Sequence, residues 1–205
     1  MYLKIHPETP SQRQIRRVAD VLRNDGVIIY PTDTVYALGW RINNTKSEDK
    51  VSNIKNDKKR RTSFFLICKD LSQVSQFTKP LDKSTFKLLK HNLPGPFTFL
   101  LPASNKIPKL YKSKKDIVGI RIPDNNIPLQ IVEELGEPIM TTSLRNNNDE
   151  VMDYLVDPQQ IFEKYKKQVD VIIDGGLGNI EASTIVDCTN NEPYIIREGK
   201  GELVS

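Results

Sequence analysis

The chain has 205 residues, 38% of them hydrophobic and 27% charged, a composition that excludes a disordered or fibrous protein and suits one domain with a full core. Lys and Arg number 30 against 26 Asp and Glu, for a formal charge of only +4. The basic residues nevertheless cluster, at Arg13, Arg16, Arg17 and Arg23, at Lys58 to Arg61, and from Lys106 to Lys115. Such clusters are either solvated faces or the footprint of a polyanion such as ATP or RNA. The start MYLKIHPETP has no signal-peptide core, and no apolar run approaches the roughly 20 residues that span a bilayer. A cytoplasmic protein without a membrane partner is expected. Cys68 and Cys188 make no metal-ligand spacing with His6 and His91, so two free thiols are expected, with no disulfide and no protein metal site.

Thr9 and Pro10 read as a helix start, and Ile15, Val18, Ala19 and Leu22 keep helical spacing until Gly26. VIIYPT (27–32) reads as a buried strand, and VYALGWRI (35–42) continues extended after the polar Asp33 and Thr34. A helix near 45–55 leads into the charged loop NDKKRRT (56–62), and SFFLIC (63–68) has the character of a buried strand. Helical patterns near 70–78 and 82–91 precede Pro94, Gly95 and Pro96, which force a turn before a strand at 97–101. DIVGIRIP (116–123) reads as a strand, IPLQIVEELG (127–136) as a helix closed by Gly136, and PIMTTS (138–143) as a strand. The polar segment 145–150 is expected to be the most mobile interior loop. Asp157 and Pro158 open a helix to about 168, and VDVIIDGG, ASTIVDCT and PYIIREG follow as three strands. The alternation predicts a single α/β domain over residues 1–205, built on an open mixed sheet.

YPTDTVYALG (30–39) resembles the most distinctive stretch of the YrdC/YciO family of threonylcarbamoyl-AMP synthases, which typically reads YPTDTVYGLG. The resemblance runs on through Lys55, LPGPFTFLL (93–101), VGIRIPD (118–124), TTS (141–143), ASTIVDCT (182–189) and IIREGKG (195–201), about nine tenths of the chain. FFLICKDLS (64–72) is most similar to the YciO branch. The resemblance implies a single-domain, twisted, open mixed sheet with flanking helices around a large basic cavity. It implies a nucleotidyltransferase of tRNA modification that makes threonylcarbamoyl-AMP and pyrophosphate from ATP, L-threonine and bicarbonate, with Mg²⁺ carried on ATP and not caged by the protein. Double-stranded RNA or tRNA is a further partner that the resemblance suggests. The alternatives are an RNA- or tRNA-binding YciO-type protein with little synthase activity, or an enzyme acting on a related carbamoyl adenylate or modified tRNA. The oligomeric state stays open.

That chemistry builds charge on phosphate oxygens, so it asks for cations and positioned donors more than for acid–base groups. By resemblance Lys55 and Arg121 are the catalytic candidates. Arg121 lies in an apolar strand, where a charge is costly to bury unpaired; it is either a structural ion pair or, as the resemblance implies, the partner of the threonine carboxylate. Thr32, Thr34, Cys68 and Ser183 complete the threonine-binding set that the resemblance implies, with Cys68 as a pocket-lining thiol and Tyr30 and Tyr36 as walls. Short hydroxyls at a strand junction equally serve the backbone. Lys55, Lys59, Arg60, Arg61, Thr142, Ser143, Thr184 and Arg197 form the expected nucleotide-binding set. Two signatures depart from the synthase pattern. Asp57 stands where the family carries an arginine, and Leu144 and Arg145 replace the Ala and Asn of a T-S-A-N signature.

Overall fold

The structure, a computed structural model, describes residues 1–42, 44–56, 64–107, 116–144, 155–190 and 192–204. The elements in chain order are β1 (Tyr2–Lys4), α1 (Gln12–Arg23), β2 (Ile28–Tyr30), β3 (Ala37–Arg41), α2 (Thr45–Ile54), β4 (Phe65–Ile67), α3 (Leu71–Phe77), α4 (Lys83–Asn92), β5 (Phe97–Pro102), β6 (Ile117–Arg121), α5 (Asn126–Leu135), β7 (Ile139–Ser143), α6 (Pro158–Tyr165), β8 (Val171–Asp174), β9 (Thr184–Asp187) and β10 (Tyr194–Arg197). The alternation read from sequence holds throughout. Strand β1 is the addition: it is three residues long, too short for a period to register.

Local chemistry sets the helix ends. Asn44, Asp70, Asp82, Asn125 and Asp157 each accept a hydrogen bond from a backbone N–H of the first turn. Pro158 follows its cap directly, where its missing N–H costs nothing. Helix α1 begins one residue after Ser11 and not at Thr9, whose N–H instead donates to the His6 Nδ1. Gly136 closes α5 at φ +80°, the left-handed conformation that favours glycine.

All ten strands form one mixed sheet in the order β1-β8-β2-β3-β7-β4-β6-β5-β9-β10. The sheet separates two apolar layers. One gathers Trp40, Leu66, Cys68, Phe97, Phe99 and Val186 on one face. The other packs α1 and α5, through Ile15, Val18, Leu22, Ile127 and Ile131, against Tyr30, Ile67 and Ile139 on the opposite face. No helix among the described residues is long and apolar enough to cross a membrane.

Candidate functional site

Side chains alternate across a strand, so residues paired between neighbouring strands lie on the same face, as do residues two apart. Ala37 pairs with Ser143 and Gly39 with Thr141; Thr141 pairs with Phe65; Phe65 pairs with Gly119, two residues before Arg121. Leu100 pairs with Gly119, Thr98 with Ile185, and Ile185 with Arg197. Seven strands' worth of separate sequence thus converges on one face. Residues Thr34, Val35, Ala37, Phe65, Thr98, Arg121, Thr141, Ser143, Ala182, Ser183 and Arg197 line a pocket there of about 40 Å³. On that measure one water needs about 10–15 Å³, so the described walls enclose a space for a small polar head group. The large cavity implied by the resemblance is not enclosed by the described residues alone; a nucleotide would extend out of this pocket.

Arg121 is the pocket's central cation. It is 7% exposed, and its Nη2 donates to Asp33 Oδ1 at 2.8 Å and to Thr34 Oγ1 at 3.0 Å. Its Nε is buried with no acceptor among the described residues. Arg121 is therefore both pocket wall and ion pair, joining the two roles that the sequence left as alternatives. Asp33 is held from its other side by the backbone N–H of Asp124, 3.1 Å from Oδ2. Lys55 is also buried, at 3% exposure, and its Nζ donates to the Ser143 carbonyl at 2.9 Å, which places it beside the pocket without lining it. Arg197 Nη2 donates to the Ser183 carbonyl at 2.7 Å. The Ser183 hydroxyl pairs with that of Thr98 at 2.8 Å.

The structure brings Thr34, Arg121, Ser143, Ser183 and Arg197 to one pocket and sets other expected residues elsewhere. Thr142 pairs with Leu38 and Thr184 with Phe97, so strand alternation turns both to the opposite face. The Thr184 hydroxyl is engaged there, donating to the Gly201 carbonyl and accepting from the N–H of Gly199 and of Gly201. Cys68 does not line the pocket either: it is fully buried in the apolar layer behind the sheet, and burial pushes its thiol well above the ordinary range. Thr32 makes the local turn, donating to Val35 O at 2.8 Å and accepting from Thr34 N–H at 3.0 Å. Tyr36 packs behind the sheet and donates to Gly176 O. Tyr30 lies on the site face but outside the wall, its hydroxyl on Thr141 Oγ1, with burial raising its pKa to about 12. Lys59, Arg60 and Arg61, with Asp57, Arg145 and the loop 145–150, lie outside the described residues.

Asp33, Thr98, Thr141, Phe65 and Ala182 are the additions. Thr98 carried a signal, since a lone hydroxyl inside PFTFLL needs a partner. Both oxygens of Asp33 already accept a hydrogen bond, and no group of three or more His, Cys, Asp or Glu that could hold a metal ion occurs among the described residues.

The C-terminal wall depends on close backbone approach. A Cβ on Gly199 would meet the backbone of Ala182 and Ser183, with Ser183 O at 2.8 Å. Gly199→Ala is expected to displace the 199–201 segment from Ser183, lowering stability by about 1–3 kcal/mol and weakening ligand binding; urea melts and ligand titration check both.

Residues 20–199 match the Sua5_yciO_yrdC family model, described as Telomere recombination. An uncharacterized protein of Haemophilus influenzae is 39% identical over 98% of this chain and 96% of its own length. The Escherichia coli uncharacterized protein YciO is 36% identical over 98% and 97%, and the crystal structure of E. coli YciO superposes with a TM-score of 0.90 over the same shares at 35% identity. The threonylcarbamoyl-AMP synthase of Pyrococcus abyssi is 30% identical over 91% of this chain, which spans 54% of that protein. The chain belongs to the Sua5/YciO/YrdC family.

Proposed function

We propose that this protein is a threonylcarbamoyl-AMP synthase-type nucleotidyltransferase whose pocket holds the amino-acid substrate, L-threonine, by its carboxylate. The observation that carries the reading is Arg121: a buried guanidinium in the wall of a small pocket, bonded to the Thr34 hydroxyl and sharing that wall with Ser183. Relatives named threonylcarbamoyl-AMP synthase at 30% identity support the substrate class.

In this reading the threonine amine reacts with bicarbonate to give a carbamate and water. A carbamate oxygen then attacks the α-phosphorus of ATP, and pyrophosphate leaves as the bond to the β-phosphate breaks. Arg121, Thr34 and Ser183 orient the amino acid. Arg197 and Lys55 place positive charge on the side where phosphate charge develops. Mg²⁺ supplies charge neutralisation when it arrives with ATP.

The test is threonine-dependent pyrophosphate release from ATP, bicarbonate and Mg²⁺ by the intact protein, with Lys55→Ala alongside. Release that requires threonine and falls at least about tenfold in Lys55→Ala, the loss expected for one charge-assisted contact, supports the reading. A folded protein with no release above background, but which retains tRNA, would replace it with an RNA-binding role.

A further inference from the structure

Asp33 is the one element of the site whose position the proposed chemistry leaves unexplained. Its side chain is 7% exposed, beside an Arg121 side chain at 8%. It does not line the pocket. Its two oxygens are divided between Arg121 Nη2 and the Asp124 N–H. Its carbonyl accepts from Lys200 Nζ at 2.7 Å, tying the same turn to the C-terminal segment. The residue therefore has a fixed location behind the guanidinium, and all contacts of that guanidinium with the described residues run through the one nitrogen that Asp33 and Thr34 share.

Two physical effects follow. The first is geometric: a planar fork bonded at Nη2 cannot rotate, so the remaining donor edge is pre-aimed. The second is electrostatic. The ion pair leaves the Arg121 end of the pocket close to neutral, while Arg197 contributes a positive charge on the far wall. Coulomb interaction scales with the product of the charges, so the interaction with a dianion is about twice that with a carboxylate. Asp33 cancels much of the attraction of Arg121 for an anion, and the cancelled part is about twice as large for a phosphate dianion as for a carboxylate, which keeps its directed hydrogen bonds to Arg121. A site that must keep an amino acid and a triphosphate in separate places needs this kind of repulsive element as well as an attractive one.

We propose that Asp33 is a positioning and specificity-determining residue: it fixes Arg121 and reserves it for a carboxylate by repelling phosphate. The proposal rests on the amino-acid reading of the pocket. Isothermal titration of the intact protein with inorganic phosphate, and separately with L-threonine, tests it on wild type, Asp33→Asn and Asp33→Glu. Asp33→Asn is expected to bind phosphate about tenfold tighter and threonine about tenfold more weakly, a change of about 1.4 kcal/mol in each direction. In turnover its KM for threonine rises while kcat stays within about twofold, the pattern of lost ground-state positioning. Asp33→Glu, which keeps the charge, retains the wild-type preference, and the double variant Asp33→Asn/Arg121→Gln loses the gained phosphate affinity. Phosphate affinity unchanged in Asp33→Asn, or gained equally in the double variant, overturns the proposal. Should Asp33→Asn not fold, Asp33→Ser gives the same comparison. Absence of threonine-dependent turnover in the wild type counts against the synthase reading alone, since the phosphate comparison still decides the role of Asp33.

Discussion

Arg121→Met is expected to destabilise the protein by about 3–5 kcal/mol at neutral pH, the usual result of removing one partner from a buried ion pair. The pair is dry on both sides: the Arg121 and Asp33 side chains are 8% and 7% exposed, with 2.8 Å between Nη2 and Oδ1. Methionine fills the volume of the arginine stem but leaves the Asp33 carboxylate facing only the Asp124 N–H. The loss therefore comes from an uncompensated charge, and the double variant Asp33→Asn/Arg121→Met should recover most of it. Urea titrations of the four proteins in the cycle measure the coupling directly. A double variant that loses the sum of the two single losses would show that the two groups are not coupled. Turnover follows a different rule: on the proposed reading both variants lose the donor for the substrate carboxylate, so kcat/KM should fall by about 10- to 100-fold in each, whatever their stability.

Trp40→Ala should be as costly to the fold and nearly silent in the chemistry. Trp40 is fully buried on the face of β3 opposite the pocket, and its ring meets Phe64 edge-on at 5.0 Å between centroids. Truncation leaves a cavity in the larger apolar layer, with an expected loss of about 3–5 kcal/mol. For a domain of this size each kcal/mol lowers the melting temperature by about 2–4 °C, so a drop of roughly 10 °C is the central expectation. The indole Nε1 has no acceptor among the described residues, so Trp40→Phe should cost clearly less than the lost volume alone implies. Trp40 is the single tryptophan of the chain, which makes circular dichroism the appropriate probe for these variants. At 25 °C the folded Trp40→Ala protein should keep kcat/KM within about twofold of wild type. A large loss of turnover without unfolding would mean that the two faces of the sheet are mechanically linked.

The strands and helices were legible because their periods are long enough to count: α1 keeps its apolar face for three turns, and β3, β6 and β7 each run five residues. The site was legible as motifs but not always as individual residues. TTS named the right strand, yet only Thr141 and Ser143 reach the pocket, because the residue between them must point the other way. The same alternation separates Ser183 from Thr184 and sends Cys68 into the apolar layer. Strand register, which decides which member of each pair is used, depends on neighbours up to 106 residues away and is not written in any one segment. Asp33 escaped for a related reason. Its partners, Arg121 and the Asp124 N–H, lie 88 and 91 residues along the chain, so only the folded turn shows that a polar residue in a loop is a buried counter-ion.

The strand order carries a consequence for biosynthesis. β8, made of residues Val171–Asp174, is wedged between β1 and β2 and is hydrogen-bonded in parallel to both, and the terminal amine of Met1 reaches the Asp170 carbonyl. It is the keystone of that half of the sheet, and it is made after most of the chain has left the ribosome. Until it arrives, the three fully buried residues of β2 present an open edge, which is the kind of surface that pairs with other chains. Closing such distant contacts is slow compared with forming helices. A chain synthesised only as far as β8 is therefore expected to expose that edge, and soluble yield in cells is expected to rise when chaperones that shield it are co-expressed.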